Sequence, residues 1–109
     1  MDLLELINKK CSELDVAVKS LRRTGQDYAE AYTNYRMELA KELMKLKEEG
    51  YAITLAGDIA RGKREIAMLK LKEITTEAIY KANLESINAT KLQIKLLDSQ
   101  LQREWTSEK

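Results

Sequence analysis

Residues 4–39 read LELINKKCSELDVAVKSLRRTGQDYAEAYTNYRMEL, and within them Leu4, Ile7, Cys11, Leu14, Val18, Leu21, Gly25, Tyr28, Tyr32, Tyr35 and Leu39 fall alternately three and four residues apart. All but the glycine are apolar or aromatic. This is the a/d spacing of a helix that turns a narrow apolar seam toward another helix. It predicts a chain that works by packing against helices, its own or another protein's, and it carries no chemistry.

Outward from this stretch the stripe predicts a first helix over about 3–49. Beyond Leu39 the ladder shifts phase to Leu43 and Leu46. Glu48 and Glu49 are unfavourable at a helix C-terminus, but Gly50 supplies a stop. Gly25 leaves two readings open. In one, Arg22 and Arg23 end a helix, Gly25 follows it, and Thr24 with Asp27 caps the next. In the other, the helix runs through and tolerates glycine at about 1 kcal/mol against alanine. Leu21 and Tyr28 stay in register across Gly25, and that favours the continuous helix.

Residues 50–63 are punctuated by Gly50, Gly57 and Gly62. They predict a short helix over about 55–61, with Thr54 as N-cap and Gly62 just past the end. Tyr51, Ile53, Leu55 and Ile59 give that helix an apolar side suited to plugging the end of a bundle. A second long helix follows over about 64–105. Ala67, Leu71, Ile74 and Ala78 form one stripe on it. Tyr80, Leu84, Ile87, Ile94, Leu97, Leu101 and Trp105 form another, shifted in phase. So broad an apolar arc implies more than one neighbouring helix. At about 1.5 Å per residue the two long helices match in length. The predicted fold is all-α: one domain over 1–109, a long coiled-coil-like antiparallel hairpin with a short helix at the turn. Two helices cover only one face each, so the hairpin is expected to dimerise into a bundle; a first helix broken at Gly25 and folded back is the other way to cover the arc.

Composition agrees and narrows the function. Charged residues make up 34% of the 109-residue chain, Pro is absent and Gly occurs four times, a long-helix composition. A net charge of +1 is not the bulk basicity of a nucleic-acid binder. There is no His, and a single Cys cannot build a thiolate metal site, so no metal or cofactor is expected. No Gly-rich phosphate loop follows a strand. The carboxylates alternate with Lys and Arg at helical spacing, as in Glu38, Lys41, Glu42, Lys45 and Glu49, the pattern of a solvated ion-paired face. No catalytic constellation remains, and no enzyme activity is expected. Cys11, on the seam, reads as a small buried thiol. No apolar run is long enough for a membrane span, and the N-terminal residues lack a signal-peptide pattern. These features, with one unpaired Cys, point to the cytoplasm.

The best candidate for a functional surface is the hairpin end. Arg61, Lys63, Arg64, Lys70 and Lys72 cluster there, beside the backbone amides that open the second long helix, and they are candidate phosphate or anion contacts. Binding through them would depend on salt and not on base sequence. Lys19, Arg22 and Arg23 form a smaller basic group. Tyr28, Tyr32 and Tyr35 could stack on bases, but their heptad register points to core packing. Trp105 reads as an end cap of the bundle.

Thr54–Glu73, TLAGDIARGKREIAMLKLKE, and Ile79–Trp105, IYKANLESINATKLQIKLLDSQLQREW, resemble small helical proteins of phages and prophages of Gram-positive bacteria. The resemblance covers nearly the whole chain and lies in seam and surface patterns, with no catalytic residues to carry over. It implies a bacterial host cytoplasm and an accessory role in phage growth, either binding a host or phage protein or assisting DNA recombination or replication. The expected function is non-enzymatic: a homodimeric interaction protein, with a nucleic-acid-binding accessory as the alternative.

Overall fold

The computed structural model describes residues 2–107 as three helices: α1 (Leu3–Glu48), α2 (Ile53–Gly62) and α3 (Arg64–Ser107). The long helices α1 and α3 pack as an antiparallel hairpin, with α2 in the connection between them. α1 runs unbroken through Gly25. Its start is capped by Asp2, whose Oδ1 accepts a hydrogen bond from the Glu5 amide at 2.8 Å, satisfying a backbone donor that has no partner inside the helix.

α1 ends where Gly50 adopts φ 96°, the single positive φ among the described residues. The Gly50 amide donates to the Lys47 carbonyl at 3.0 Å and the Tyr51 amide to the Leu46 carbonyl at 3.2 Å. This paired closure caps the last carbonyls and requires the left-handed conformation that glycine adopts freely. The next two boundaries differ from expectation. Ala52, extended at φ −64°, ψ 148°, occupies the N-cap of α2 with no side-chain hydrogen bond, so Thr54 is not the cap. Gly62 stays inside the helix, and the turn falls on Lys63, extended at φ −67°, ψ 138°. The Lys63 amide donates to Ala60 at 3.2 Å and its carbonyl accepts from Ala67 at 2.8 Å, so this one residue ends α2 and begins α3.

Contacts gather into two compact units. One comprises residues 1–23 with 80–109, the other residues 24–79. In the second unit three helical segments meet, and Tyr35, Leu39, Leu46, Ala56, Ala60 and Ile66 form a buried cluster with Leu43, Ile59 and Leu69 packed against it. α2 enters through Ala56, Gly57 and Ala60, all buried, while Tyr51, Ile53 and Leu55 face out. The expected apolar plug is therefore corrected in part: small residues let the α2 backbone come close to its neighbours, Ile59 packs against the cluster, and Tyr51, Ile53 and Leu55 are left outside.

In the first unit two helices pack alone. Ile87 and Thr90 are buried, while Ile7, Leu14, Leu21, Ile94, Leu97 and Leu101 are half-buried. Asn83 Nδ2 donates to the Ala17 carbonyl at 2.9 Å, a polar tie across the pair.

The seam itself is a correction. Ile7, Leu14, Leu21, Tyr28, Tyr35 and Leu39 face inward, but Leu4, Cys11, Val18 and Tyr32 are exposed. Their place is taken by Leu3, Lys10, Ala17, Thr24 and Ala31, each one residue earlier and so about 100° around the helix. The inner row of large side chains is flanked on both sides by rows at heptad spacing. Hydrophobicity favours the row that contains Cys11. α3 selects the other, because its inner face carries Thr76, Asn83 and Thr90, which fit against small and polar neighbours. Cys11 is therefore an exposed thiol rather than a buried one.

Candidate interaction surface at the helix-turn-helix corner

The corner where α1, α2 and α3 meet lies wholly within residues 24–79. Leu43, Met44, Lys47, Ile53 and Ala56 line a mostly apolar groove of about 230 Å³ between the end of α1 and the start of α2. Met44 is 65% exposed and Ile53 73% exposed, so the groove's walls are large apolar side chains that no other part of the described chain covers. Beside it Leu43, Ile53, Thr54, Gly57, Asp58 and Arg61 line a second recess. A Cβ on Gly57 would stand 2.8 Å from the Arg61 guanidinium, which lies folded over it and, as the end of a flexible side chain, can swing aside.

The five basic residues of this region separate into two kinds. Lys63 Nζ pairs with Glu42 on α1, which ties the α2–α3 turn to the first helix. That hydrogen bond lowers the Glu42 pKa from its ordinary value and raises that of Lys63. Lys70 Nζ pairs with Glu73 at 2.8 Å and lies 4.9 Å from the centre of the Tyr35 ring. The hydrogen bond that Lys70 donates to Glu73 raises the Lys70 pKa in the same way. Both pairs hold the charged forms together. Arg61, Arg64 and Lys72 are exposed, and none of them forms an ion pair among the described residues. Lys72 shares a shallow polar recess with Asp27, Glu30, Ala31, Asn34 and Thr76. The basic cluster of the sequence is thus three free cations and two bound ones. Of the smaller basic group, Lys19 pairs with Asp15 at 2.8 Å, and Arg22 and Arg23 are exposed.

The aromatic residues also divide. Tyr35 is buried and Tyr28 half-buried; Tyr32 is exposed and meets Tyr28 edge-on, with ring centres 6.4 Å apart. Trp105 is 62% exposed beside Leu4 and Leu101, so it does not seal a bundle end as expected.

Glu65 and Glu73 are the acids nearest the cluster in sequence, but sequence reasoning did not pair Glu73 with Lys70, and it missed Glu42 as the partner of Lys63 and the apolar groove. Glu73 carried a usable signal: it stands seven residues from both Ile66 and Tyr80, in a buried register where a carboxylate needs a partner. Met37 and Met44, seven residues apart and both exposed, carried another.

Comparison with protein-family models, with curated proteins and with solved structures returns no match. No helix among the described residues is long and apolar enough to cross a membrane.

Proposed function

We propose that this chain is a non-enzymatic helical interaction protein, homodimeric and cytoplasmic, that acts as a phage or prophage accessory factor by binding a host or phage protein. The observation that supports this reading is the amount of large apolar side chain left uncovered at helical spacing, with Met44 and Ile53 at the corner among its most exposed examples. Contiguous exposed apolar surface marks contact with another macromolecule. Methionine, flexible and polarisable, suits a groove that adapts to a partner's side chains. The groove has room for one or two aliphatic anchors of an amphipathic helix, with Lys47 on its wall to meet a carboxylate. The phage context rests on the resemblance of residues 54–73 and 79–105 alone.

A photoreactive amino acid in place of Ile53, expressed in a bacterial host, tests the reading. One discrete protein adduct, abolished by the change Met44→Asp on the same groove, is the expected result. Adducts to nucleic acid alone, or none, would contradict it.

A nucleic-acid accessory role is supported by exposed Arg61, Arg64 and Lys72 and weakened by the engagement of Lys63 and Lys70 with carboxylates. It requires DNA binding that weakens steeply with salt and that Arg61→Glu with Arg64→Glu abolishes. No binding at low salt removes it.

A further inference from the structure

On α3, Ala67, Leu71, Ile74 and Ala78 are all exposed, Leu71 to 54% and Ile74 to 53%, on a different side from the buried residues Ile66 and Glu73. Their spacing of four, three and four is a second a/d seam on a helix whose first seam is already used. The stripe reads the same in both directions: small, large, large, small. Arg64 and Lys81 flank it at symmetric positions, so antiparallel pairing sets these two exposed cations opposite each other at the ends, where salt screens them.

An interface between identical chains related by a two-fold axis must be self-complementary, so that when residue i meets residue j, j also meets i. A palindromic stripe meets that requirement in one arrangement. Placed antiparallel on a copy of itself, with the axis between Leu71 and Ile74, it sets Leu71 against the copy's Ile74 and Ala67 against the copy's Ala78. The alanines let the helices approach at the ends while the large pairs fill the middle.

Surface area is sufficient for such an interface. The chain exposes 8225 Å². A folded monomer of its 12.5 kDa mass exposes about 6,200 Å². The surplus of about 2,000 Å² exceeds the roughly 800 Å² per partner of a standard interface. Among the described residues no large side chain is less than 2% exposed, and only the small Ala60 is covered completely. A net charge of +1 offers almost no repulsion between two copies.

We propose that the stripe Ala67–Leu71–Ile74–Ala78 is the homodimer interface, formed by antiparallel pairing of α3 with α3 of a second copy. This deepens the interaction reading above by naming the face and the partner for self-association, and it leaves the α1–α2 groove to another protein.

Light scattering coupled to size exclusion tests it on the full chain, with Leu71→Asp, Ile74→Asp and, as control, Ile53→Asp. The expected result is a dimer for the parent and for Ile53→Asp, and a monomer with unchanged helical circular dichroism for the two α3 variants, whose side chains are already half in solvent. A monomeric parent at 100 µM protein, taken as about the upper working concentration, would overturn the proposal while leaving the groove reading standing. So would a dimer indifferent to both α3 changes.

Cross-linking fixes the orientation and does not depend on the aspartate variants folding. In a Cys11→Ser background, a mixture of Leu71→Cys and Ile74→Cys chains should form the mixed disulfide faster than either forms a disulfide with itself, because bridging needs Cα atoms about 4.4–6.8 Å apart. Faster self-bridging of Leu71→Cys chains would overturn the antiparallel arrangement.

Discussion

The unit built from residues 24–79 and the unit built from residues 1–23 and 80–109 use the same helices and differ in how many meet. In the first, a ten-residue α2 adds a third wall, and Leu39, Leu46 and Ile66 fall to 5%, 3% and 4% exposed. In the second, two helices pack with Ile87 as the one large apolar residue that is buried, and the rest of the seam stays half in water. A third element at one level therefore decides where burial is concentrated. Each unit also has a polar tie between elements, Asn83 to the Ala17 carbonyl in the two-helix unit and Lys63 to Glu42 in the three-helix unit.

The comparison is most easily broken by truncating its apolar contacts. Leu46→Ala should cost about 2–5 kcal/mol, the range for emptying a buried leucine site, while Leu14→Ala should cost under about 1.5 kcal/mol, because a half-buried leucine removes little surface from water. Chemical denaturation of both variants measures this, and equal costs would erase the difference between the units. Gly50→Ala should destabilise by about 1–2 kcal/mol, because it forces a Cβ into the left-handed region at φ 96°. Asn83→Ala should cost about 1 kcal/mol by removing a partly buried hydrogen bond, and it should loosen the register of the two-helix unit without touching the corner cluster.

Smaller effects sharpen the picture. Gly25→Ala should stabilise by about 0.5–1 kcal/mol, because the residue lies within a continuous helix; a lower melting temperature would indicate a closely packed site at Gly25. Cys11→Ser should leave the melting temperature unchanged, since the thiol is exposed. Glu42, with its pKa lowered by the hydrogen bond from Lys63, contributes stability that is complete above its ordinary value of 4.5 and is lost as pH falls through the folded-state value. Glu42→Gln should flatten the acid limb of the stability curve and leave the neutral region with a small change.

The long helices, the stop at Gly50 and the hairpin were legible because they rest on period and punctuation: apolar residues three and four apart, no proline, and one glycine at the needed turn. The choice of flanking row on α1 was not. The rows containing Cys11 and Lys10 both continue the heptad, and hydrophobicity ranks them the wrong way. What decides between them is the Thr76, Asn83 and Thr90 row of α3, a partner some 60 residues away in sequence for Ala17 and Asn83. The caps of α2 were misread for a similar reason. Thr54 and Gly62 carry the right local chemistry, but small residues docking against α1 set the helix limits instead. At the candidate surface the cations were legible as a cluster, and Lys70 with Glu73 is a pair three apart on one helix that spacing can reveal, while the pairing of Lys63 with Glu42 depended on a contact between α1 and the α2–α3 turn that charge counts do not reveal.

Native-state hydrogen exchange read by mass spectrometry tests the central contrast most directly. The three-helix corner should hold the slowest amides, in residues 35–46 and 56–69, and the two-helix segments 3–20 and 91–105 should exchange faster, because opening them exposes less buried apolar surface. Uniform protection along α1, or slower exchange at its N-terminal half than at the corner, would contradict the account.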